Sequence, residues 1–191
     1  MKKAIILATT ALALVITGGY VYSNHYNQSN VPVRVGNIEA NHAIFANAVD
    51  AEAQSDAVVR VIATDDSKNV IENFNWGPTG RTETKVTVKK VYKGSSKKDI
   101  GSEIVVFEPS YVLEDSKGST RINYEGYVPM VPGEEYILYL VYSDRLGGYW
   151  INALEQGKFN VTGNDKAEAK LQESDQQYDK LKKDVLEKYK D

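Results

Sequence analysis

Val and Ile alternate with polar residues through the middle of the chain, and this period of two predicts β-strands. Residues 55–64 are rich in Val and Ile and form the first predicted strand, and residues 103–108 form the third. Between them, residues 81–92 also alternate, except that two polar residues follow each other at Lys89 and Lys90. A doubled polar step of this kind predicts a β-bulge, which bends a strand.

Residues 136–142 have a large apolar or aromatic side chain at every position, unlike the alternating strands around them. A strand without a polar face is buried on both sides, so this segment is predicted to be the central strand. Two short strands are predicted at residues 149–152 and 157–161. Five or six strands without intervening helices predict an all-β core, either an antiparallel barrel or a β-sandwich.

Two long connecting loops are predicted between the strands. Residues 65–80 hold turn-forming residues at both ends, and residues 109–132 are predicted to be a long, partly stranded excursion on the surface. Recognition residues concentrate in such loops, and both segments contain aromatic and polar side chains. We therefore expect the two loops to border one binding face. The candidate binding residues are Trp76, Tyr111, Arg121, Tyr124 and Tyr127. The alternative is that these rings cap the core.

Helical spacing of apolar residues occurs on both sides of the β-rich region. Residues 38–53 carry Ile38, Phe45 and Val49 at such spacing and predict a short helix that docks on the following domain. Residues 165–190 predict one long amphipathic helix, because neither Gly nor Pro interrupts them. The apolar stripe of this helix would pack on the chain's own barrel or pair with a partner helix. It consists of Ala167, Leu171, Tyr178, Leu181, Val185 and Tyr189.

The uncharged segment 4–22 follows Lys2 and Lys3 and predicts either a cleaved signal peptide or a single signal anchor. Both interpretations place the rest of the chain outside the cytoplasm, secreted or tethered to the cell membrane. A polar spacer, residues 24–37, follows. The predicted organisation is therefore an export segment (1–23), a spacer with a short helix (24–54), a β domain (55–162) and a C-terminal helix (163–191).

Composition narrows the chemistry of the chain. Of the 191 residues, 42% are hydrophobic, and residues 24–191 hold 21 basic and 26 acidic side chains. A net acidic chain without clustered Lys and Arg argues against nucleic-acid binding. The chain has no cysteine, so disulfides, thiol chemistry and a lipoprotein anchor are excluded.

The usual signatures of catalysis and metal binding are missing from the sequence. The two histidines, His25 and His42, have no partner at ligand spacing, so we expect neither a metal nor another cofactor. Carboxylates such as Glu134, Glu135 and Glu155 are numerous, but glycoside hydrolysis needs two of them in one cleft. We therefore predict that the protein is not an enzyme.

Four short motifs resemble small exported bacterial domains that are related in fold to the netrin and tissue-inhibitor-of-metalloproteinase module. They are Ser-Asp-Ala-Val-Val at 55–59, Val-Tyr-Lys-Gly at 91–94, Gly-Glu-Glu-Tyr-Ile-Leu-Tyr-Leu at 133–140 and Gln-Gly-Lys-Phe at 156–159. The resemblance implies a five- or six-stranded OB-like barrel. The animal inhibitors of this fold bind the zinc of their target through an N-terminal cysteine. Because this chain has no cysteine, the resemblance implies no functional residue.

The sequence thus predicts an exported, non-catalytic binding or interaction module of the bacterial cell envelope. Its partner would be an envelope protein or a glycan. A second hypothesis is a structural or assembly protein that pairs through its C-terminal helix, so the chain would be a monomer or a helix-mediated oligomer. A third hypothesis, a carboxylate-dependent envelope hydrolase, has the least support.

Overall fold

A computed structural model describes residues 34–116 and 118–190. The prediction of an all-β core is confirmed, since strands dominate the described residues and three helices flank them. The strands are β1 (Arg34–Ile38), β2 (Ala57–Phe74), β3 (Gly77–Lys93), β4 (Glu103–Glu108), β5 (Ser110–Asp115), β6 (Gly118–Tyr124), β7 (Glu135–Ser143), β8 (Gly148–Ile151) and β9 (Lys158–Asn160). The helices are α1 (Ala48–Ala53), α2 (Lys166–Ser174) and α3 (Gln176–Lys188).

The larger sheet has six strands in the order β2-β3-β4-β8-β7-β9. Strand β7 also pairs with β2, so the pairings of β2, β3, β4, β8 and β7 return to the strand where they begin. The pair β4–β8 is parallel, whereas the other pairs of this sheet are antiparallel. The β-bulge is confirmed, because Arg60 lies opposite Lys90 and Val61 opposite Val88, which leaves Lys89 as the extra residue.

The prediction of five or six strands is wrong, because the described residues contain nine strands in two sheets. The additional strands lie largely in residues 109–132, which were predicted to be a partly stranded excursion. There β5 and β6 form a hairpin, and β1 joins β6 in parallel to make a three-stranded sheet. Strand β1 includes residues 34–37 of the predicted spacer.

The prediction of a loop at residues 65–80 is also wrong. Strands β2 and β3 continue through this segment and are joined by a tight turn at Asn75 and Trp76. The Asp, Ser and Asn residues of 65–75 disfavour strands by propensity, but pairing with β3 outweighs that local preference. The result is a long hairpin whose distal half reaches the second sheet.

The prediction that residues 136–142 form a central strand is confirmed. Strand β7 pairs with β2 along one edge and with β8 and β9 along the other, and its residues 136–140 are buried. Alternate side chains enter two different apolar clusters. Tyr136, Leu138 and Leu140 lie in the interior cluster with Val59, Val86 and Val106. Ile137 and Tyr139 face outward into a second cluster, which the helices cover.

The prediction of a single C-terminal helix is wrong, because the helix is interrupted at Asp175, which separates α2 from α3. Asp175 adopts an extended conformation, and its side chain accepts hydrogen bonds from the backbone N–H groups of Gln177 and Tyr178. It therefore acts as the N-cap of α3, which explains the break without Gly or Pro. The stripe residues Tyr178, Leu181, Val185 and Tyr189 are buried on the chain's own strands and on α1.

The predicted N-terminal helix is present but shorter, since α1 begins at Ala48 and Ile38 belongs to β1. Its docking is confirmed by Phe45, Ala48 and Ala51, which lie in the cluster beneath α3. Val49, expected on the buried stripe, is instead 63% exposed. The predicted export segment lies outside the described residues, and among the described residues no helix is long and apolar enough to cross a membrane.

Candidate functional site

The two segments that were expected to border one face lie side by side in the structure. The side chain of Asn69 on β2 donates to the carbonyl of Val112 on β5 and accepts from the N–H of the same residue, both at 2.8 Å. The Thr79 and Tyr124 hydroxyls lie 2.5 Å apart. These contacts join the distal half of the β2–β3 hairpin to the second sheet.

A cleft of about 300 Å³ lies beside this junction. This is the lower limit of the volume usual for small-ligand pockets. The hairpin, the second sheet, the turn between β7 and β8, and β8 itself all contribute to its walls. The lining residues are Glu72, Phe74, Thr79, Gly80, Arg81, Pro109, Tyr124, Arg145, Trp150 and Leu154.

Two of the five predicted binding residues lie at or beside the cleft. Tyr124 lines the cleft, and its hydroxyl group donates a hydrogen bond to the Gly80 carbonyl at 3.3 Å. Trp76 is 72% exposed and does not line the cleft itself. Its ring stacks on Phe74, which does line the cleft, with ring centroids 5.2 Å apart and planes within 7° of parallel. The exposed stack therefore extends the aromatic wall of the cleft outward.

The other three predicted residues lie away from the cleft surface. Tyr127 is fully buried and donates to the carboxylate of Glu108 at 2.8 Å, and burial raises its pKa well above the ordinary value. Tyr111 is only 4% exposed, and burial raises its pKa as well. Arg121 lies half-buried on β6 and does not line the cleft. Tyr127 lies in the interior cluster, as the capping alternative describes, whereas Tyr111 is buried against Gly80.

Two arginines and one glutamate form the polar side of the cleft. Arg81 donates to Glu72 at 2.6 Å, and Arg145 donates to both carboxylate oxygens of Glu72 at 3.0 and 3.4 Å. Arg81 also donates to Glu83, twice, at 2.6 and 3.0 Å. Two positive groups are therefore balanced by two negative ones. Glu72 joins the β2–β3 hairpin to the β7–β8 turn.

The arginines hold Glu72 in its charged form. The Arg145 guanidinium, followed by Arg81, holds the pKa of the Glu72 carboxyl below its ordinary value of 4.5, against the opposing effect of partial burial. The carboxylate is consequently a fixed hydrogen-bond acceptor at neutral pH. It is the one carboxylate among the residues that line the cleft.

Trp150 adds a further aromatic side chain to the lining of the cleft. Trp150 on β8 packs edge-on against Phe107 on β4, with ring centroids 5.4 Å apart. The Arg81 guanidinium lies 5.2 Å from the centroid of the Phe107 ring, a distance at which a cation is attracted to the ring face. Arg81 is thus held by Glu72, Glu83 and Phe107 together, which fixes the direction of its donors.

The charged residues of the cleft were not among the predicted site residues. Glu72 and Arg81 come from the hairpin, where Glu72 lies opposite Thr79 and Val70 opposite Arg81. A sequence signal for that proximity existed, because a two-residue turn at 75–76 would place these side chains near each other. Arg145 has no such signal, since it follows Glu72 by 73 residues and comes from a different turn.

Among residues 34–116 and 118–190, no group of three or more His, Asp or Glu side chains could hold a metal ion. His42 lies with its ring Nδ1 3.4 Å from the Ala40 carbonyl, away from the cleft. What the cleft offers is therefore an aromatic surface, one carboxylate acceptor and two guanidinium donors, a combination suited to binding.

The sequence matches no known family profile, and no curated protein is similar to it. The geometry of the cleft is therefore the basis for a functional proposal.

Proposed function

We propose that the strands β2, β3, β4, β8 and β7 form an OB-like barrel. Three observations support this. The pairings return to β2, because β7 pairs with it. Along the chain, β4 and β8 are the third and fifth of these strands, and they form the parallel pair. One apolar cluster fills the interior. OB-type barrels bind ligands across one sheet face and at the loops joining strands one to two and four to five. In this chain those loops are the β2–β3 turn and the β7–β8 turn.

We infer that the protein is an exported, non-catalytic binding module of the cell envelope, whose partner is an envelope protein or a glycan. The single observation that carries the binding function is the position of the cleft. It lies between the β2–β3 turn, which presents Phe74 and Trp76, and the β7–β8 turn, which presents Arg145. The export part of the proposal rests on the sequence of residues 1–23.

Retention of envelope material by cleft variants tests this proposal. The full-length chain is solubilised in detergent, immobilised and incubated with envelope extract, and bound protein and bound carbohydrate are both measured. We expect Trp76→Ala and Arg145→Ala to retain at least tenfold less material than the wild type. The control is Val49→Ala, which truncates an apolar side chain on α1 that is 63% exposed and lies away from the cleft. Equal retention by all four proteins would show that the cleft is not the binding site.

A further inference from the structure

We propose that the cleft binds an uncharged saccharide, with a sugar ring against the Phe74–Trp76 stack and its hydroxyl groups on Glu72 and Arg145. This inference rests on the proposed binding function and specifies the ligand of the same site. It follows from three properties of the cleft, namely the shape of its aromatic surface, its charge balance and its mixture of donors and acceptors.

The aromatic surface at the hairpin turn is flat and accessible. Phe74 is 45% exposed and Trp76 is 72% exposed, and their rings lie within 7° of parallel. Large apolar side chains that remain exposed together mark interaction surfaces. A sugar ring presents a flat face of C–H groups, which packs on an aromatic ring while its hydroxyl groups point to the sides. The stack therefore matches a ring-shaped ligand with an apolar face and a polar rim.

The charge balance of the cleft favours a ligand without charge. Glu72 and Glu83 balance the guanidinium groups of Arg81 and Arg145 in a chain of hydrogen bonds between 2.6 and 3.4 Å. Because the two carboxylates neutralise the two guanidinium groups, an anionic ligand would gain no net positive charge in the cleft. A polyanion would in addition approach a protein that is itself net acidic.

The polar groups next to the stack require both a donor and an acceptor from the ligand. Arg145 uses two of its five N–H donors on Glu72, and the other three have no partner among the described residues. The Glu72 carboxylate next to it can only accept. A hydroxyl group both donates and accepts, so it satisfies either neighbour. A proline-rich peptide also stacks on aromatic rings, but its prolines provide no N–H for Glu72.

Titration calorimetry with defined probes tests the ligand class. The full-length chain, in a detergent without a sugar headgroup, is titrated with maltotetraose, mannotetraose and chitotetraose as neutral probes. Tetragalacturonate serves as the charged counterpart, and a proline-rich decapeptide as the peptide counterpart. We expect saturable binding of at least one neutral tetrasaccharide, together with a change in tryptophan fluorescence, since Trp76 belongs to the stack and Trp150 lines the cleft. Trp76→Ala and Phe74→Ala should each weaken that binding more than tenfold, and Val49→Ala should leave it unchanged.

A charge variant adds a second readout. Glu72→Gln removes one of the two negative charges that balance Arg81 and Arg145, so the cleft gains a net positive charge. The ratio of tetragalacturonate affinity to neutral-saccharide affinity should therefore rise at least tenfold. If none of the neutral probes binds saturably, the saccharide inference is overturned. It is also overturned if the wild type binds the peptide or tetragalacturonate more tightly than every neutral probe. If the peptide binds and the Trp76→Ala variant loses it, the proposed binding function survives. If a probe binds but no cleft variant weakens it, both proposals fail.

Discussion

Tyr111 of β5 lies directly against the backbone of Gly80 in β3, so closely that a Cβ atom at Gly80 would lie 2.6 Å from Cγ of the Tyr111 ring. The same added atom would lie 2.7 Å from the carbonyl oxygen of Val70 on β2. Both neighbours are fixed, one as a buried ring and the other as backbone. This contact holds the distal half of the hairpin on the second sheet, and the cleft lies beside it.

Gly80→Ala should therefore destabilise the protein by roughly 1 to 3 kcal/mol, because an extra methyl group in a closely packed site forces its neighbours to move. Urea denaturation followed by circular dichroism gives the change in the free energy of unfolding. Gly94→Ala is the matched control, since a Cβ atom at Gly94 meets no atom within 4 Å. That control should change stability by no more than about 0.5 kcal/mol. Equal effects at both glycines would contradict the close contact.

Leu138→Ala tests the interior cluster. Leu138 is fully buried on the central strand β7, and its truncation leaves a cavity, so we expect a loss of roughly 2 to 5 kcal/mol in the free energy of unfolding. Val105→Ala on β4 serves as the comparison, because Val105 is 40% exposed. A loss below about 1 kcal/mol for Leu138→Ala would show that β7 is not the centre of the core.

The sequence predicted the elements whose pattern is local. The bulge at Lys89 follows from two adjacent polar residues, and the central strand at 136–142 follows from apolar side chains at every position. The distal half of β2 could not be predicted in the same way. Its Asp, Ser and Asn residues have low strand propensity, and the strand depends on pairing with β3 and on the bonds between Asn69 and Val112. Long-range contacts of this kind leave no periodic signal.

The sequence indicated the neighbourhood of the cleft but not its lining. The sequence indicated that 65–80 and 109–132 adjoin, but it could not separate an aromatic residue on the surface from one beneath it. Tyr127 is an example, because its ring packs in the interior cluster and its hydroxyl donates to Glu108, the last residue of β4. Conversely, Arg145 lines the cleft from the turn between β7 and β8, which lies outside both predicted loops.

Asp175→Ala tests the break between α2 and α3. The Asp175 side chain satisfies the N–H groups of Gln177 and Tyr178, and loss of such an N-cap costs about 0.5 to 2 kcal/mol. The exposed neighbour Glu173, which lies in the last turn of α2, provides the control as Glu173→Ala. We expect thermal denaturation to show a lower melting temperature for Asp175→Ala alone. An unchanged melting temperature would mean that the cap contributes nothing to the stability of α3.

Arg145→Ala tests the electrostatics of the cleft. Arg145 is the main cause of the lowered pKa of Glu72, so its removal should raise that pKa toward the ordinary value of 4.5, although Arg81 would still lower it. NMR titration of isotopically labelled Glu carboxyl groups measures the shift directly. Arg34→Ala is the matched control, because Arg34 forms a similar two-bond contact with Asp115 on the second sheet, and its loss should leave the pKa of Glu72 unchanged.

The same substitution should change how stability depends on pH. A carboxyl group whose pKa is lower in the folded than in the unfolded protein stabilises the fold at pH values above its unfolded pKa, and this contribution is lost as the pH falls through the folded pKa. For Glu72, the wild type should therefore exceed Arg145→Ala in stability most clearly above pH 4.5, and the difference should shrink in acid. Urea denaturation at about pH 7 and about pH 3 compares the two. A difference that stays constant or grows toward low pH would mean that Arg145 stabilises the turn by packing rather than by holding the charge on Glu72.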